Sequence, residues 1–233
     1  MELIRDEWTS KDLLELNKYL ESIKVPEKIE FTKRVVNTNM PLLGINIPTL
    51  ESIAKEIAKG NYLSFLDNCQ YEYYDLTIIG AKLINRISDY DVLEKTLSRY
   101  LKYCDNWSSI DTLKLKIKGN EDKIFKLAKK YTLSKKTFTR RCGFIIFFKF
   151  IKEDNYIDEI FNTIDTMHDE EEYYVNMGIA WLLCELMIKR RKETLAYLKH
   201  HHLNPFVLNK FISKCHDSFR ISAEDKELLK TYR

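Results

Sequence analysis

Turn-forming residues are scarce in this chain, with 6 Gly and 4 Pro among 233 residues. A sheet-rich fold needs many tight connections, and there is too little material here to build them. Cysteine offers no framework either: Cys69, Cys104, Cys142, Cys184 and Cys215 are odd in number, widely spread and without a C-x-x-C pair. That pattern speaks against a disulfide scaffold or a structural zinc site and predicts reduced core thiols. Long apolar runs are missing as well. The nearest, CGFIIFFKFI at 142–151, is short, carries Lys149 and follows Arg140 and Arg141, so it predicts a buried helix and no membrane span. The first eleven residues are acidic and polar, unlike a signal peptide, and a cytoplasmic location is expected. The formal net charge is only +3, too small to announce nucleic-acid binding by itself, so any such face has to be polarised. Nor is there a Gly-rich phosphate loop, an H-E-x-x-H or a G-x-S-x-G, which removes the footing for nucleotide hydrolysis, zinc proteolysis and serine esterase chemistry. The triplet His200, His201 and His202 points in different directions on any helix or loop and lacks acidic or cysteine partners in sequence, so no metal site is expected.

What the chain does have is 45% hydrophobic and 31% charged residues arranged with helical spacing. In VLEKTLSRYLKY, at 92–103, Val92, Leu93, Leu97, Tyr100 and Leu101 form one stripe; Leu50, Ile53, Ala54, Ile57 and Ala58 form another. Helices are predicted near 9–23, 26–37, 47–59, 62–68 and 71–87, punctuated by PLLGINIP at 41–48. There Gly44 permits a turn, and Asn46 or Ile47 with Pro48 marks a helix start. The C-terminal half repeats every 35 residues or so. Each unit reads as an acid-led amphipathic helix followed by a more apolar one. First helices begin near Asp89, Asn120, Asp154 and Arg191, and second helices near Asn106, Lys136, Glu171 and Asn204. Pairs of this kind bury their apolar faces only by stacking, which predicts an all-α fold, an α-α superhelix or solenoid with one concave side. No linker-like stretch divides the chain, so residues 1–233 read as a single domain, expected to be a monomer.

Equivalent positions in stacked repeats fall into rows, so polar and aromatic residues near the starts of the second helices are expected to share a groove. Trp107 and Asp111 are four apart, Phe138 and Arg141 three, and Tyr174 and Trp181 seven, each pair on one helix face. A carboxylate, a guanidinium and two indoles suit a reaction that develops positive charge on a sugar beside a polyanion. The plainer readings stay open: Trp107, Trp181 and Tyr174 as packing residues, Asp111 as a cap or a solvated residue, and Arg141 beside Arg140 as a surface pair or a partner for a neighbouring helix carboxylate. Basic residues recur near repeat spacing at Lys114, Lys116 and Lys118, at Lys135, Lys136, Arg140 and Arg141, and at Lys189, Arg190, Arg191 and Lys192. They are either solvated helix faces or one edge of a phosphate track.

Five segments carry a resemblance: LLGINIPTLESIAKEI at 42–57, NWSSIDTL at 106–113, FTRRCGFI at 138–145, YYVNMGIAWLL at 173–183 and NKFISKCHDSFRIS at 209–222. In order and spacing they resemble the DNA alkylation repair family of HEAT-like repeat glycosylases, the AlkD type. The resemblance implies a concave basic groove binding duplex DNA that carries N3- or N7-alkylated purines, and excision of the base with no metal or cofactor. It places Trp107 and Asp111 beside the damaged nucleotide, Arg141 on the backbone by the lesion and Trp181 as a second lesion-side indole. Arg140, Lys136, Lys114, Lys118, Tyr174 and Arg190 are then expected to contact DNA. Ser108 stands where an acidic residue is common in the family, and Val35 stands where some relatives present an aromatic ring. Two other readings remain: a non-catalytic repeat protein that binds distorted or branched DNA, and a protein-interaction solenoid.

Overall fold

The computed structural model describes residues 1–232, and every regular element among them is a helix. The chain is divided into two units, Met1–Asn120 and the residues from Glu121 onward.

The first unit holds α1 (Ser10–Ser22), α2 (Pro26–Val36), α3 (Ile47–Ile57), α4 (Tyr62–Asn68), α5 (Tyr74–Ile84), α6 (Tyr90–Tyr100) and α7 (Trp107–Asp111). Their starts follow local chemistry. The Thr9 side chain caps α1 and Asp12 returns the bond to the Thr9 amide at 2.8 Å, while Asn46, Asn61, Asp89 and Asn106 cap α3, α4, α6 and α7. Here α5 is the hub, packing on α3, α4, α6 and α7 with nearly its whole circumference buried. The predicted helix at 71–87 is shorter at its start because Tyr71 adopts a left-handed φ of 49°, a turn rather than a helical residue.

The segment before α3 is irregular yet buried through Leu42, Leu43 and Ile45, so its backbone needs partners. Asp75, fully buried in the first turn of α5, supplies two: its carboxylate accepts the Leu43 amide at 2.8 Å and the Ile45 amide at 3.1 Å. Burial pushes this carboxyl above its ordinary value, and the two amide bonds pull the other way. Gly44 sits between them at a φ of 71°, where a Cβ would come within 2.5 Å of the Val25 carbonyl oxygen.

The second unit contains α8 (Glu121–Thr132), α9 (Thr137–Phe147), α10 (Asp154–Asp165), α11 (Tyr173–Lys189), α12 (Arg191–Tyr197), α13 (Pro205–Asp217) and α14 (Ala223–Lys230). The predicted repeat is visible in the packing. The second helices α9, α11 and α13 lie side by side, and α8 packs on α9. That last contact is close because residue 143 is glycine: a Cβ there would meet the Ala128 carbonyl oxygen at 2.6 Å. Arginines tie the repeats together. Arg190 donates to the carbonyls of Ile151 and Lys152 and pairs with Asp154, while Arg191 grips Asp225 through Nε and Nη2 and so fastens α14, which lies outside the predicted units. The five cysteines are free thiols, all buried except the half-buried Cys104. Among the described residues no helix is long and apolar enough to cross a membrane, and no cluster of metal-ligating side chains occurs.

Asp75→Ala would leave two buried amides without acceptors, and we expect a loss of about 2–5 kcal/mol in urea unfolding. Asp75→Asn, which keeps one acceptor oxygen, should lose less; equal stability of all three proteins would refute the anchoring role.

Candidate nucleic-acid interface

Helix α7 has only five residues, and its brevity has a local cause. The Asn85 side chain donates to the Thr112 carbonyl at 3.0 Å and accepts the Lys114 amide at 2.5 Å, which draws the chain out of helical geometry just after Asp111. The near side of α7 is held by a buried polar network. Asn106 accepts the Ser109 amide at 2.9 Å, the Ser109 hydroxyl meets Thr77 at 2.6 Å, and the Tyr100 hydroxyl donates to the Ser109 and Thr77 carbonyls, both at 3.0 Å. Ser108 is held too, its hydroxyl 2.8 Å from that of Tyr74. A serine at this position therefore serves the α5–α7 contact.

Trp107 opens this short helix and Asp111 closes it, on one face and both half-buried. The Trp107 indole donates from Nε1 to the Val35 carbonyl at 3.2 Å, so the last turn of α2 orients the ring. Val35 itself is 48% exposed, and an apolar side chain thus stands open where the indole is anchored. Asp105 secures the neighbouring loop by accepting the Asn39 amide at 2.7 Å and the Thr38 hydroxyl at 2.5 Å. The Lys114 and Lys118 side chains beyond α7 are exposed.

In the second unit the α9–α11 seam carries the other candidates. Phe138 and Tyr174, each the second residue of its helix, bring their rings to 5.5 Å. One turn on, Arg141 lies buried at 5% exposure and donates from Nη1 to the Tyr174 carbonyl at 2.5 Å. Two turns along α11 from Tyr174, the half-buried Trp181 meets Phe148 at 4.5 Å between ring centroids. Arg140 turns to Glu170, with Nε and Nη2 bonds of 2.7 and 3.1 Å, and also donates to the Ser134 carbonyl. Lys136 is exposed at the N-cap of α9, whereas the Arg190 guanidinium is half-buried among carbonyls and Asp154.

The structure thus brings Trp107 and Asp111 together in one unit, and Phe138, Arg141, Tyr174 and Trp181 along one seam of the other. Sequence reasoning missed Asp75, Glu170 and the Val35 carbonyl, all partners whose role exists only through contacts made far along the chain. Asp75 carried a weak signal, a lone acid in the otherwise apolar YDLTIIGA run.

Residues 16–214 match a family model described as DNA alkylation repair enzyme. No curated protein matches the chain.

The Arg140–Glu170 pair is largely withdrawn from water, its side chains 15% and 6% exposed. Removing one partner strands the other, so Glu170→Ala should lower stability by about 3 kcal/mol in chemical denaturation. A loss no larger than that of a typical exposed ion pair, under about 1 kcal/mol, would contradict this placement.

Proposed function

Because the chain belongs to the DNA alkylation repair enzyme family and so has a role in DNA repair, we propose that it is a monofunctional glycosylase acting on cationic N3- and N7-alkylated purines in duplex DNA. The observation that carries the reading is the shared face of Trp107 and Asp111, held rigidly on a helix too short to stand without its network.

The substrate's own positive charge makes modest assistance sufficient. As the bond from C1′ to the purine nitrogen breaks, its electron pair returns to the base, which leaves neutral and needs no protonation. The sugar becomes oxocarbenium-like, water adds at C1′ and loses a proton, and an abasic site remains. In this reading Asp111 stabilises the sugar cation and orients the water, and the indoles of Trp107 and Trp181 present electron-rich faces to positive charge. Arg141 is assigned to the phosphate beside the lesion, its Nη1 bond to the Tyr174 carbonyl fixing the orientation of the guanidinium. The exposed Lys114, Lys118 and Lys136 are assigned to flanking phosphates, with Tyr174 beside them. Arg140 and Arg190 are already engaged by Glu170 and Asp154, which largely neutralise them, and they are assigned no direct phosphate contact.

The test measures free N7-methylguanine released from methylated duplex DNA at enzyme excess. Wild type should exceed the spontaneous rate, and Asp111→Asn should lose about 100-fold in release while its duplex affinity stays within a few-fold of wild type. Tight duplex binding with no release by either protein would replace this reading with the non-catalytic one, recognition of distorted or branched DNA. Absence of salt-sensitive duplex binding would overturn both.

A further inference from the structure

The face of α11 that carries Tyr174 and Trp181 continues past them. Tyr174, Gly178, Trp181 and Glu185 recur at intervals of four, three and four residues, so they form one stripe along the helix. Arg141 of α9 lies against this stripe, close enough that a Cβ on Gly178 would sit 3.3 Å from its Nη1. One turn beyond Trp181, Glu185 accepts the Arg220 guanidinium through both oxygens, with an Nη1 bond of 2.9 Å. Arg220 belongs to the turn between α13 and α14, and the ion pair therefore brings that turn to the far end of the stripe.

At the tip of the turn stands Phe219, 104% exposed and the most exposed large apolar side chain among the described residues. The turn beneath it is well supported. The Ser218 amide donates to the Cys215 carbonyl at 3.2 Å, the Ser218 hydroxyl accepts the Arg220 amide at 3.2 Å, Ile221 is buried and Ser222 caps α14. Folding alone gives no reason to hold a ring out in water on such a turn. Charge narrows what the ring can meet. Arg220 is occupied by Glu185 and the exposed Asp217 stands beside the turn, so the tip itself offers no free cation to a phosphate. Lys214, in the last turn of α13, forms no salt bridge among the described residues and supplies positive charge nearby. An apolar tip with a free lysine behind it suits the carbon surface of the sugars in duplex DNA, which lies between the phosphates.

We propose that Phe219 is a duplex-binding residue, whose ring packs on the sugars of a DNA groove beside the stretch met by Arg141 and Trp181. The choice of DNA as partner rests on the function proposed above; the placement of the ring rests on the α11 stripe and the Arg220–Glu185 pair. Phe219 adds an uncharged contact to a surface otherwise assigned to cations, and it leaves every base in the stack. Arg220 acts as a positioning residue, since its grip on Glu185 aims the ring.

Binding of the full chain to a methylated duplex, followed by fluorescence anisotropy over a range of salt, tests this without relying on base release. Phe219→Ala should bind about tenfold more weakly at every salt concentration with an unchanged salt slope, because an apolar contact releases no counterion. Phe219→Trp should keep wild-type affinity, and thermal unfolding of Phe219→Ala should match wild type, since so exposed a ring supports no packing. Wild-type affinity in Phe219→Ala, or weaker binding that comes with a shallower salt slope, would overturn the proposal. If Phe219→Ala binds DNA like wild type but sediments as a smaller species, the ring serves a second copy of the chain and the proposal falls. Base release by wild type with no effect of Phe219→Ala on binding sinks this contact alone. Weakened binding by Phe219→Ala with no base release by wild type sinks the glycosylase reading and leaves the contact standing; absence of duplex binding by wild type sinks both.

Discussion

The organisation of this protein depends on how buried polar groups are satisfied at the starts of its second helices. A helix start carries backbone donors without partners, and a repeat that packs its inner helices side by side puts those starts close to apolar neighbours. Asn106 and Asn204 meet such donors directly, and other side chains tie the first turns to neighbouring segments. Asp75 turns the first turn of α5 into an acceptor for the loop before α3, Asn106 closes α7, and Arg141 reaches from α9 to the Tyr174 carbonyl of α11. Asn204 continues the series by capping α13 while donating toward the Glu170 carbonyl and Asn176. These ties hold the first turns in place, and the candidate functional side chains sit on or next to them.

The same ties redistribute the charge. A count of 38 basic residues against 35 acidic ones says little about binding until it is known which are already engaged. Arg140, Arg190, Arg191 and Arg220 each meet a carboxylate across about 30 residues of sequence or more, because the repeat places acid and base on adjoining units. The guanidiniums thus serve mainly as cross-ties between repeats, where their fixed planar donors suit bidentate pairing. Exposed positive charge near the candidate residues is left mostly to lysines. Lys114 and Lys118 follow α7, and Lys135 and Lys136 precede α9, whereas the turn before α11 is acidic.

Much of the candidate site was legible in advance, and the exceptions share a cause. Trp107 and Asp111 were paired by spacing alone, since four residues on a helix return to one face whatever surrounds them. The start of α13 was visible because Asn204 and Pro205 are chemically specific to a helix N-terminus. Arg141 was placed on the right helix, but its burial and its bond to Tyr174 were not readable, because Arg140 and Arg141 are indistinguishable as neighbours in a string. Only the rotation of α9 against α11 turns one inward and sends the other to Glu170.

By itself the sequence determined the helical class, the boundaries of most helices, the repeat and its period, and the candidate residues that share a helix face. All of these follow from local periodicity and capping chemistry, which act over a few residues and need no knowledge of the rest of the chain. Tertiary structure alone decided which polar groups are buried and by what they are met, and why α7 stops after five residues. Those outcomes depend on contacts between residues some 30 to 70 positions apart, and such contacts exist only once the helices have packed.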